Sequence, residues 1–436
     1  MRITVTGCGY LGATHAACMA ELGFDVLGVE VDGEKLALLQ QGRAPFHEPE
    51  LDALLDQHVA SGRLRFTASA REAAGFGDVH FLCVGTPQQP AGLAADLSYV
   101  DEGVRLLAPH LRPGALVVGK STVPVGTAQR LAGILADLSP AGADAELAWN
   151  PEFLREGHAV DDTLHPDRLV FGVASRGGEE LLRGVFAQAI DEGTPVVVTD
   201  YATAELVKVA ANAFLATKVS FINAVAEICE VVGADVSLLA DALGHDQRIG
   251  RRFLSAGIGY GGGCLPKDIR AFQHRAGELG ADDMVGLLRE VEAINLHRRQ
   301  RVVELVHAMV PQIAGARVAV LGAAFKPHSD DIRDSPALQV AGQLQLAGAE
   351  VTVYDPAALG NAARLFPTLR YADTALQACE RADIVLHLTE WPEFGKLSPA
   401  DLDDVVAQRR LLDGRNALDP ATWRDAGWDF HDLGRR

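Results

Sequence analysis

Cys264 has the surroundings that most favour chemistry in this sequence. It follows three glycines at 261–263 and precedes Leu265-Pro266-Lys267-Asp268. Glycine-rich main chain can approach a ligand closely, and its exposed amides can form an anion-binding concavity. We expect Cys264 to lie where a loop enters a helix, where the helix dipole and Lys267 favour its thiolate form. The pattern predicts a nucleophile, with Asp268 on the same helical face, whereas Cys8, Cys18, Cys83 and Cys229 are expected to be small buried residues.

The segment Gly7-Cys8-Gly9-Tyr10-Leu11-Gly12 directly follows a predicted strand and opens a predicted helix. Its first glycine permits a tight turn, its second lets a pyrophosphate approach the backbone, and its third allows the helix to pack closely on the strand. Glu30 ends the second predicted strand, where a carboxylate accepts hydrogen bonds from ribose hydroxyls and repels a 2′-phosphate. The sequence therefore predicts a dinucleotide site that prefers NAD to NADP.

Two further loops and one helix carry candidate ligand contacts. Residues 84–87 (V-G-T-P) and 120–127 (K-S-T-V-P-V-G-T) each follow a strand. They should therefore lie at the carboxyl edge of the sheet, where ligands bind in such folds. Lys208 and Asn212 are four residues apart in an Ala-rich helix and share one face. Their spacing alone is compatible with a solvent-facing position or with a site.

The elements that must position these residues follow an α/β pattern, with two Rossmann-like doubly wound domains joined by a long central helix. A helix over 204–232, closed by Gly233, would run roughly 43 Å, which suits a bridge between domains and a face for dimerisation. A helical region follows over 267–310, and strands return at 317–322. The expected domains are 1–200 for NAD, 201–310 for bridging and dimerisation, and 316–436 for the nucleotide sugar. Strands are predicted at 3–5, 25–29, 79–84, 115–119, 146–149, 169–173, 195–199, 350–354, 383–388 and 410–413.

Composition restricts the classes of partner. The net charge of −19 repels nucleic acid and anionic membranes. Six scattered cysteines without a C-x-x-C pair, and histidines without an H-E-x-x-H motif, indicate neither a disulfide framework nor a metal site. No apolar run is expected to approach the roughly 20 residues that span a bilayer, and the N-terminal motif leaves no room for a secretory segment. We therefore expect a cytoplasmic protein without nucleic-acid, membrane or metal partners.

These segments resemble the UDP-glucose/GDP-mannose dehydrogenase family essentially from end to end. The resemblance covers the motifs above, N-P-E-F-L-R-E-G at 150–157, G-Y-G-G-G-C-L-P-K-D at 259–268, F-K-P-H-S-D-D-I-R at 325–333 and D-G-R-N at 413–416. It implies an NAD-dependent, four-electron oxidation of a nucleotide-sugar C6 alcohol to a carboxylate. Cys264 would carry the sugar as a thiohemiacetal and then as a thioester.

The resemblance also implies residue roles. Lys208 would stabilise the developing oxyanion, Asp268 would position a water and act as a base, and Thr122 and Asn212 would hold that network. Glu152 is similar to the residue proposed to activate water for thioester hydrolysis, and Glu156 would orient the substrate or the nicotinamide. The expected cofactor-binding residues are Gly7, Gly9, Tyr10, Leu11, Gly12, Glu30, Lys35, Thr86, Pro87, Ser121, Thr122, Glu156, Lys267 and Arg333. The expected substrate-binding residues are Glu152, Phe153, Leu154, Arg155, Glu156, Lys208, Asn212, Arg248, Tyr260, Gly261, Gly262, Phe325, Lys326 and Arg415, with Arg248 coming from a neighbouring subunit of a homodimer.

The sequence departs from the common family pattern at three places. Glu30 replaces the more usual Asp, Gly263 stands where Ser is frequent, and Gly322-Ala323-Ala324 lacks a full dinucleotide fingerprint, so a second dinucleotide is not expected. The charged runs at 297–301 and 401–404 are interpreted as solvated helix faces.

Residues 156–168 resemble the members of the family that act on UDP-glucose, which is therefore the expected substrate. Action on GDP-mannose or a UDP-N-acetylhexosamine is the first alternative. A two-electron β-hydroxyacid dehydrogenase, which needs a lysine but no nucleophilic cysteine, is the second. An NAD-binding sensor is a third, and it would have no need of Cys264, Lys208 and Asp268 together.

Overall fold

The computed structural model describes residues 1–90 and 92–435 of the chain. The chain forms two compact units. The first unit comprises Met1–Ala211 and Arg270–Leu279, and the second comprises Asn212–Ile269 and Gly280–Arg436. Each unit contains one sheet, and each is described below by itself.

In the described part of the first unit, eight strands form one sheet in the order β3-β2-β1-β4-β5-β6-β7-β8. All neighbours are parallel except β6 and β7, which are antiparallel. The strands are β1 (Arg2–Thr6), β2 (Asp25–Val29), β3 (Leu64–Thr67), β4 (Val79–Leu82), β5 (Leu116–Gly119), β6 (Glu146–Trp149), β7 (Leu169–Val173) and β8 (Val196–Thr199). The order reverses between β1 and β4, the switch point at which doubly wound sheets bind ligands.

Helices cover this sheet, which explains why the central strands β4 and β5 are buried along their whole length. The helices are α1 (Tyr10–Glu21), α2 (Gly33–Gln40), α3 (Leu51–Ala60), α4 (Ala70–Phe76), α5 (Ser98–Leu107), α6 (Thr127–Leu138), α7 (Ala159–Leu164), α8 (Arg176–Val185) and α9 (Ala187–Asp191). Strand β3 was not predicted from the sequence. It is a four-residue edge strand that buries only alternate side chains, and so short an alternation is a weak signal.

The long helix α10 (Tyr201–Val232) begins in the first unit and continues into the second. The predicted helix over 204–232 is thus confirmed, with three more residues at its N-terminus, and Gly233 follows it with a left-handed φ of +74°. The helical region predicted over 267–310 forms two helices, α12 (Leu265–Glu278) and α13 (Asp282–Met309), because Gly280 adopts a φ of +74° between them. Helix α11 (Val236–Gly244) precedes both.

Among the described residues, α10 alone is long and apolar enough to cross a membrane by length and composition. The prediction that no apolar run approaches that length is therefore wrong for this helix. In the structure, 44% of its most apolar 18-residue stretch is buried, and core helices of soluble proteins can have the same length and composition.

In the described part of the second unit, six parallel strands follow the order β11-β10-β9-β12-β13-β14. They are β9 (Arg317–Leu321), β10 (Glu350–Tyr354), β11 (Arg370–Tyr371), β12 (Ile384–His387), β13 (Arg410–Asp413) and β14 (Asp429–Asp432). The helices are α14 (Pro336–Leu346), α15 (Leu359–Leu365), α16 (Ala375–Cys379), α17 (Pro399–Leu402) and α18 (Pro420–Asp425). The predicted class, two Rossmann-like domains joined by a long helix, is confirmed.

The charged run at 297–301 is not the solvated face that we predicted. Arg298 is 0% exposed and Arg299 is 2% exposed on α13. They follow the buried Val291 by seven and eight residues, a spacing that returns to the same side of a helix, and the buried Val302 comes one turn after them. In the run at 401–404, by contrast, Asp401 and Asp404 are exposed as expected.

Candidate active site

The turn after β1 has the geometry that a bound pyrophosphate requires. Gly7 adopts a φ of +86°, and a Cβ built on it would lie 2.7 Å from Val84 Cγ1. A Cβ on Gly12 would lie 1.9 Å from the Gly7 carbonyl oxygen, so the helix can approach the strand only if residue 12 is glycine. A Cβ on Gly9 would have no atom within 4 Å. The space above the N-terminus of α1 is therefore open to a ligand's phosphates.

A carboxylate stands at the end of β2, as the sequence predicted. Glu30 is 7% exposed, and its Oε1 accepts a hydrogen bond of 2.9 Å from the Asp32 amide. Asp32 in turn caps α2, and Lys35 Nζ lies 3.9 Å from its carboxylate. Two acidic side chains at this position fit the ribose hydroxyls of NAD and would repel the 2′-phosphate of NADP.

The loops after β4 and β5 meet at the carboxyl edge of the sheet. The Ser121 hydroxyl donates to the Val84 carbonyl at 2.7 Å, and the Thr86 hydroxyl donates to the Thr122 carbonyl at 2.8 Å. Pro87 accepts from the Asp96 amide through its carbonyl. The structure therefore brings the predicted loops 84–87 and 120–127 together.

Lys208 and Glu152 form a buried ion pair in the first unit. Lys208 Nζ lies 3.1 Å from Glu152 Oε1, and their side chains are 7% and 13% exposed. The other carboxylate oxygen of Glu152 accepts from the Leu154 amide at 2.8 Å. The Phe153 ring lies 5.5 Å from Lys208 Nζ. Because a buried ammonium is poorly screened by water, it stabilises the negative charge of a developing oxyanion more strongly than an exposed one would.

The segment 150–157 is fixed to the rest of the first unit at several points. Arg155 makes a bidentate pair with Asp162 at 2.9 and 2.6 Å. The Gly157 amide donates to the Tyr10 hydroxyl at 2.9 Å and to Glu48 Oε2 at 2.7 Å. Glu156 is 7% exposed. Leu11, next to Tyr10, packs against the hydrophobic core. Glu48 was missed from the sequence because no local pattern marks it.

Lys120 is a second residue whose setting the sequence did not reveal. Its side chain is buried, its Nζ donates to Asn150 Oδ1 at 2.9 Å, and it lies 5.7 and 5.6 Å from the ring centres of Phe81 and Phe186. Burial lowers the pKa of Lys120 to about 8.

We expect this burial to appear as a pH dependence of stability. The pKa of Lys120 is about 8 in the folded protein and about 10.4 in the unfolded chain. Between pH 8 and about 10.4 the unfolded chain therefore binds more protons than the folded protein, so the free energy of unfolding rises with pH. Over that range the contribution amounts to about 3 kcal/mol. Lys120→Met should lose this rise, which calorimetry of both proteins between pH 8 and 10 will measure. Parallel curves for the two proteins would contradict the assignment.

All six cysteines lie among the described residues, and Cys264 is exposed while the other five are buried. Cys264 directly precedes α12, and its carbonyl accepts from the Asp268 amide at 3.0 Å. Asp268 is 3% exposed, with one oxygen 2.7 Å from Asn212 Nδ2 and the other 2.6 Å from Lys267 Nζ. The expected thiol thus stands at a helix start, one turn before a carboxylate held by two donors.

We call residues 259–264 the cysteine loop, and its glycines are required by what packs against them. A Cβ on Gly261 would lie 2.4 Å from the Asp334 carbonyl oxygen, and one on Gly262 would lie 2.7 Å from the Phe325 ring. A Cβ on Gly263 would lie 2.0 Å from the guanidinium carbon of Arg333. The side chain of Arg333 therefore occupies the space that a serine at 263 would need.

Arg415 joins the cysteine loop to the segment after β9. Its guanidinium donates to the carbonyls of Phe325 at 2.8 Å, Gly259 at 3.3 Å and Leu388 at 2.8 Å. Lys326 Nζ lies 5.3 Å from the Phe325 ring centre, and Tyr260 is buried. Within the second unit, the structure thus brings together the predicted residues Tyr260, Gly261, Gly262, Cys264, Phe325, Lys326, Arg333 and Arg415.

Arg248 differs from these residues. Its side chain is 90% exposed and pairs with Asp246 at 2.6 Å. The structure of one chain therefore does not bring Arg248 to the cysteine loop, and its predicted role in a neighbouring subunit remains a prediction.

The turn after β9 is arranged differently from the turn after β1. Asp355, just after β10, accepts from the amides of Ala323 at 2.7 Å and Ala324 at 2.9 Å. Asp355 thus accepts hydrogen bonds from the two amides that would otherwise face a phosphate. This arrangement supports the expectation that no second dinucleotide binds here. Among the described residues, no group of three His, Cys, Asp or Glu side chains is placed to hold a metal ion.

Comparison with known proteins relates all three parts of the chain to one family. Residues 1–190 match the NAD binding domain of the UDP-glucose/GDP-mannose dehydrogenase family, 202–297 match its central domain and 319–420 match its UDP binding domain. A UDP-glucose 6-dehydrogenase of Rhizobium meliloti (strain 1021) is 42% identical, with all of both chains covered. One of Pseudomonas aeruginosa PAO1 is 39% identical over 100% of this chain and 98% of the relative.

The solved structures lead to the same family. A UDP-glucose dehydrogenase from Pyrobaculum islandicum superposes with a TM-score of 0.92 at 35% identity, covering 100% of this chain and 98% of that one. A UDP-D-ManNAc dehydrogenase from Pyrococcus horikoshii superposes with a TM-score of 0.88 at 28% identity, covering 100% and 99%. The matched domains identify NAD as the cofactor and a nucleotide sugar as the substrate class. The chain therefore belongs to the UDP-glucose/GDP-mannose dehydrogenase family and is an NAD-dependent enzyme.

Proposed function

We propose that this enzyme oxidises the C6 alcohol of UDP-glucose to the carboxylate of UDP-glucuronate, using two NAD for each sugar. The observation that carries the chemistry is Cys264, an exposed thiol at the start of α12 in a chain whose other cysteines are buried. The substrate is supported by relatives named UDP-glucose 6-dehydrogenase, which are 36–42% identical over all of this chain.

The residues of the first unit are assigned to the oxidation of the alcohol. Lys208 stabilises the oxyanion as the C6 hydroxyl loses its proton, and Glu152 holds the ammonium in place. Thr122 and Glu156 position the reacting groups, as the family resemblance implies. NAD, when bound, accepts the hydride of each oxidation, and the open space at Gly9 is where its pyrophosphate fits.

The residues of the second unit are assigned to capture of the aldehyde. The Cys264 thiolate adds to the aldehyde carbon and forms a thiohemiacetal, which the second oxidation converts to a thioester. Water then attacks the thioester carbonyl, the C–S bond breaks, and the carboxylate leaves while the thiol is restored. Asp268 is the proposed base, with its carboxylate held by Asn212 and Lys267. Glu152 is the second candidate for activating this water, on the family resemblance.

Nucleotide and sugar specificity are tested with one set of substrates. Initial rates with UDP-glucose, GDP-mannose, UDP-N-acetylglucosamine and UDP-N-acetylmannosamine, each with NAD, should give the highest kcat/KM for UDP-glucose. The end point should be two NADH per UDP-glucose. No turnover of UDP-glucose would refute the substrate, and one NADH per sugar would favour a two-electron dehydrogenase instead.

We propose that the remaining predicted features also apply. The division into a 1–200 NAD domain, a 201–310 bridging region and a 316–436 nucleotide-sugar domain is supported by the three family matches. A cytoplasmic location is supported by the six scattered cysteines, whose spacing is not that of the disulfide framework of a secreted protein. The absence of nucleic-acid and membrane partners rests on the net charge of −19.

We also propose a homodimer formed through α10. Its residues Phe214, Phe221 and Ile228 recur every seven positions and are 67%, 54% and 62% exposed, and Val231 is 79% exposed. A stripe of large apolar side chains along one helix is the self-complementary kind of surface that a two-fold dimer buries. In such a dimer, Arg248 is the residue expected to contact the substrate of the neighbouring subunit.

The dimer is tested by Phe221→Glu, which puts a charge into the stripe. Wild-type enzyme should elute at the mass of a dimer in light scattering, and Phe221→Glu should shift it towards the monomer. Leu346→Glu is the matched control, because Leu346 is a 90% exposed leucine on α14, outside the stripe. A monomeric wild type, or a Phe221→Glu variant that remains dimeric, would overturn the proposal.

A further inference from the structure

Three buried polar residues of α13 face main chain of the second unit. Asn295, Arg298 and Arg299 are 2%, 0% and 2% exposed. They interrupt a stripe that is otherwise apolar, with Leu288 and Val291 before them. A buried polar or charged side chain is costly unless it is fully bonded, so the partners of these residues reveal what they do.

Asn295 and Arg299 bond to one residue of the cysteine loop. The Tyr260 amide donates to Asn295 Oδ1 at 2.7 Å, and Asn295 Nδ2 donates back to the Tyr260 carbonyl at 3.0 Å. Arg299 Nη2 donates to the same carbonyl at 2.8 Å, and its Nη1 donates to Gln339. Three hydrogen bonds with α13 thus hold the main-chain amide and carbonyl of Tyr260, four residues before Cys264.

The neighbouring positions show that this contact is a close one. Gly259 adopts a φ of +95°, and a Cβ on it would lie 2.3 Å from Asn295 Oδ1. Arg298 Nε donates to the Gly257 carbonyl at 3.2 Å, while its guanidinium pairs with Glu227 and Glu230 of α10 at 3.4 and 3.6 Å. The main chain that leads to the nucleophile is therefore anchored to α13 at two residues, Gly257 and Tyr260.

The loop needs such an anchor because of its composition. Three of the four residues that link Tyr260 to the helix start are glycines, which have the widest backbone freedom. We propose that Asn295 and Arg299 are positioning residues that fix the cysteine loop, so that Cys264 captures the aldehyde before it leaves the enzyme. This inference rests on the proposed function, in which Cys264 is the nucleophile.

Loss of the hydrogen bonds from Asn295 and Arg299 should change the ratio of NADH formed to sugar consumed, which general destabilisation of the enzyme would not change. The first oxidation converts the alcohol to the aldehyde and releases one NADH and one proton, and it needs no thiolate. Displacing a catalytic group by about 1 Å can lower a rate roughly 100-fold. With Cys264 displaced, the aldehyde should escape, and the yield should fall from two NADH per UDP-glucose consumed towards one.

The experiment compares Asn295→Ala and Arg299→Met with wild-type enzyme and with Arg289→Met. Arg289 lies on α13 with its side chain 68% exposed, so its loss controls for removing an arginine from this helix. NADH formed per UDP-glucose consumed is counted in initial-rate reactions, and free aldehyde is captured as a hydrazone. Both loop variants should release aldehyde and form UDP-glucuronate about 10- to 100-fold more slowly. Their KM for NAD should stay within about twofold of wild type, and Arg289→Met should behave as wild type.

Two milder variants keep the test valid if the buried substitutions prevent folding. Gln339→Leu removes the acceptor of Arg299 Nη1, together with a 3.4 Å hydrogen bond from Gln339 to Asp334. Arg299→Lys keeps the charge but loses the paired geometry. Both should fold, by circular dichroism, and release a smaller but measurable share of aldehyde. Folded variants that retain two NADH per sugar and the wild-type rate would overturn the inference. A wild type that itself yields one NADH per sugar would instead refute the proposed function.

Discussion

Replacing Cys264 by serine is expected to abolish net formation of UDP-glucuronate, with a rate loss of at least about 1,000-fold. A serine hydroxyl is far less ionised near neutral pH than a thiol, so it cannot add to the aldehyde at a useful rate. Because Cys264 is exposed at the start of α12 and serine is close to cysteine in size, the substitution leaves no cavity in the core. NAD affinity and thermal stability should therefore remain close to those of the wild type.

The measurement is UDP-glucuronate formed per minute, together with the NADH count. Cys379→Ser is the control, since it makes the same substitution at a buried cysteine in the second unit. It should keep two NADH per UDP-glucose, with some loss of stability. A Cys264→Ser enzyme that still turns over UDP-glucose with normal stoichiometry would show that the thiol is not the nucleophile.

Replacing Lys208 by methionine should lower kcat by about 100- to 10,000-fold, the range for loss of a positioned acid–base or oxyanion-stabilising group. The Lys208 side chain is 7% exposed and its Nζ lies 3.1 Å from Glu152, so solvent cannot readily take over the role of its ammonium. Methionine keeps the length of the side chain and removes only the ammonium. The KM for NAD should change little, because Lys208 is not among the predicted contacts of NAD.

Steady-state kinetics of three further variants separate the causes. Lys208→Arg keeps a cation and should recover part of the lost rate if electrostatic stabilisation is the main role. Glu152→Gln combined with Lys208→Met should be less harmful than the product of the two single effects, because each single variant leaves the remaining buried charge without the opposite charge of this ion pair. Lys396→Met, at an exposed lysine, serves as the control. A Lys208→Met enzyme with wild-type kcat would remove Lys208 from the mechanism.

The cofactor half of the site was readable from the sequence because its rules are local. A strand, a glycine-rich turn and a helix follow one another within about 20 residues, the arrangement that marks a dinucleotide-binding turn. Gly12, whose Cβ would collide with the Gly7 carbonyl oxygen, is the clearest example of such a local requirement. The prediction for Cys264 was also local, since its loop, the helix start, Lys267 and Asp268 form one continuous segment. The family resemblance then supplied the residue roles that no local rule could give.

Other features depended on packing between segments far apart in the sequence. Lys120 and Asn150 directly follow the adjacent strands β5 and β6, and nothing within either segment indicates that an ammonium will be buried there. The short edge strand β3 exists because β2 pairs with it. Arg298 and Arg299 were predicted to be part of a solvated charge run, yet both are buried, and they donate to the carbonyls of Gly257 and of Tyr260 in the cysteine loop.

The sequence by itself determined the class of fold and the glycine-rich cofactor turn, and it predicted Cys264 as the nucleophile, since each of these depends on a single element or its immediate neighbours. Only the tertiary structure decided which cysteine is exposed, which lysines are buried and what holds the cysteine loop. The physical reason is that burial and hydrogen-bond satisfaction are set by whichever distant segments pack against a residue, and the spacing of residues along one element carries no record of them.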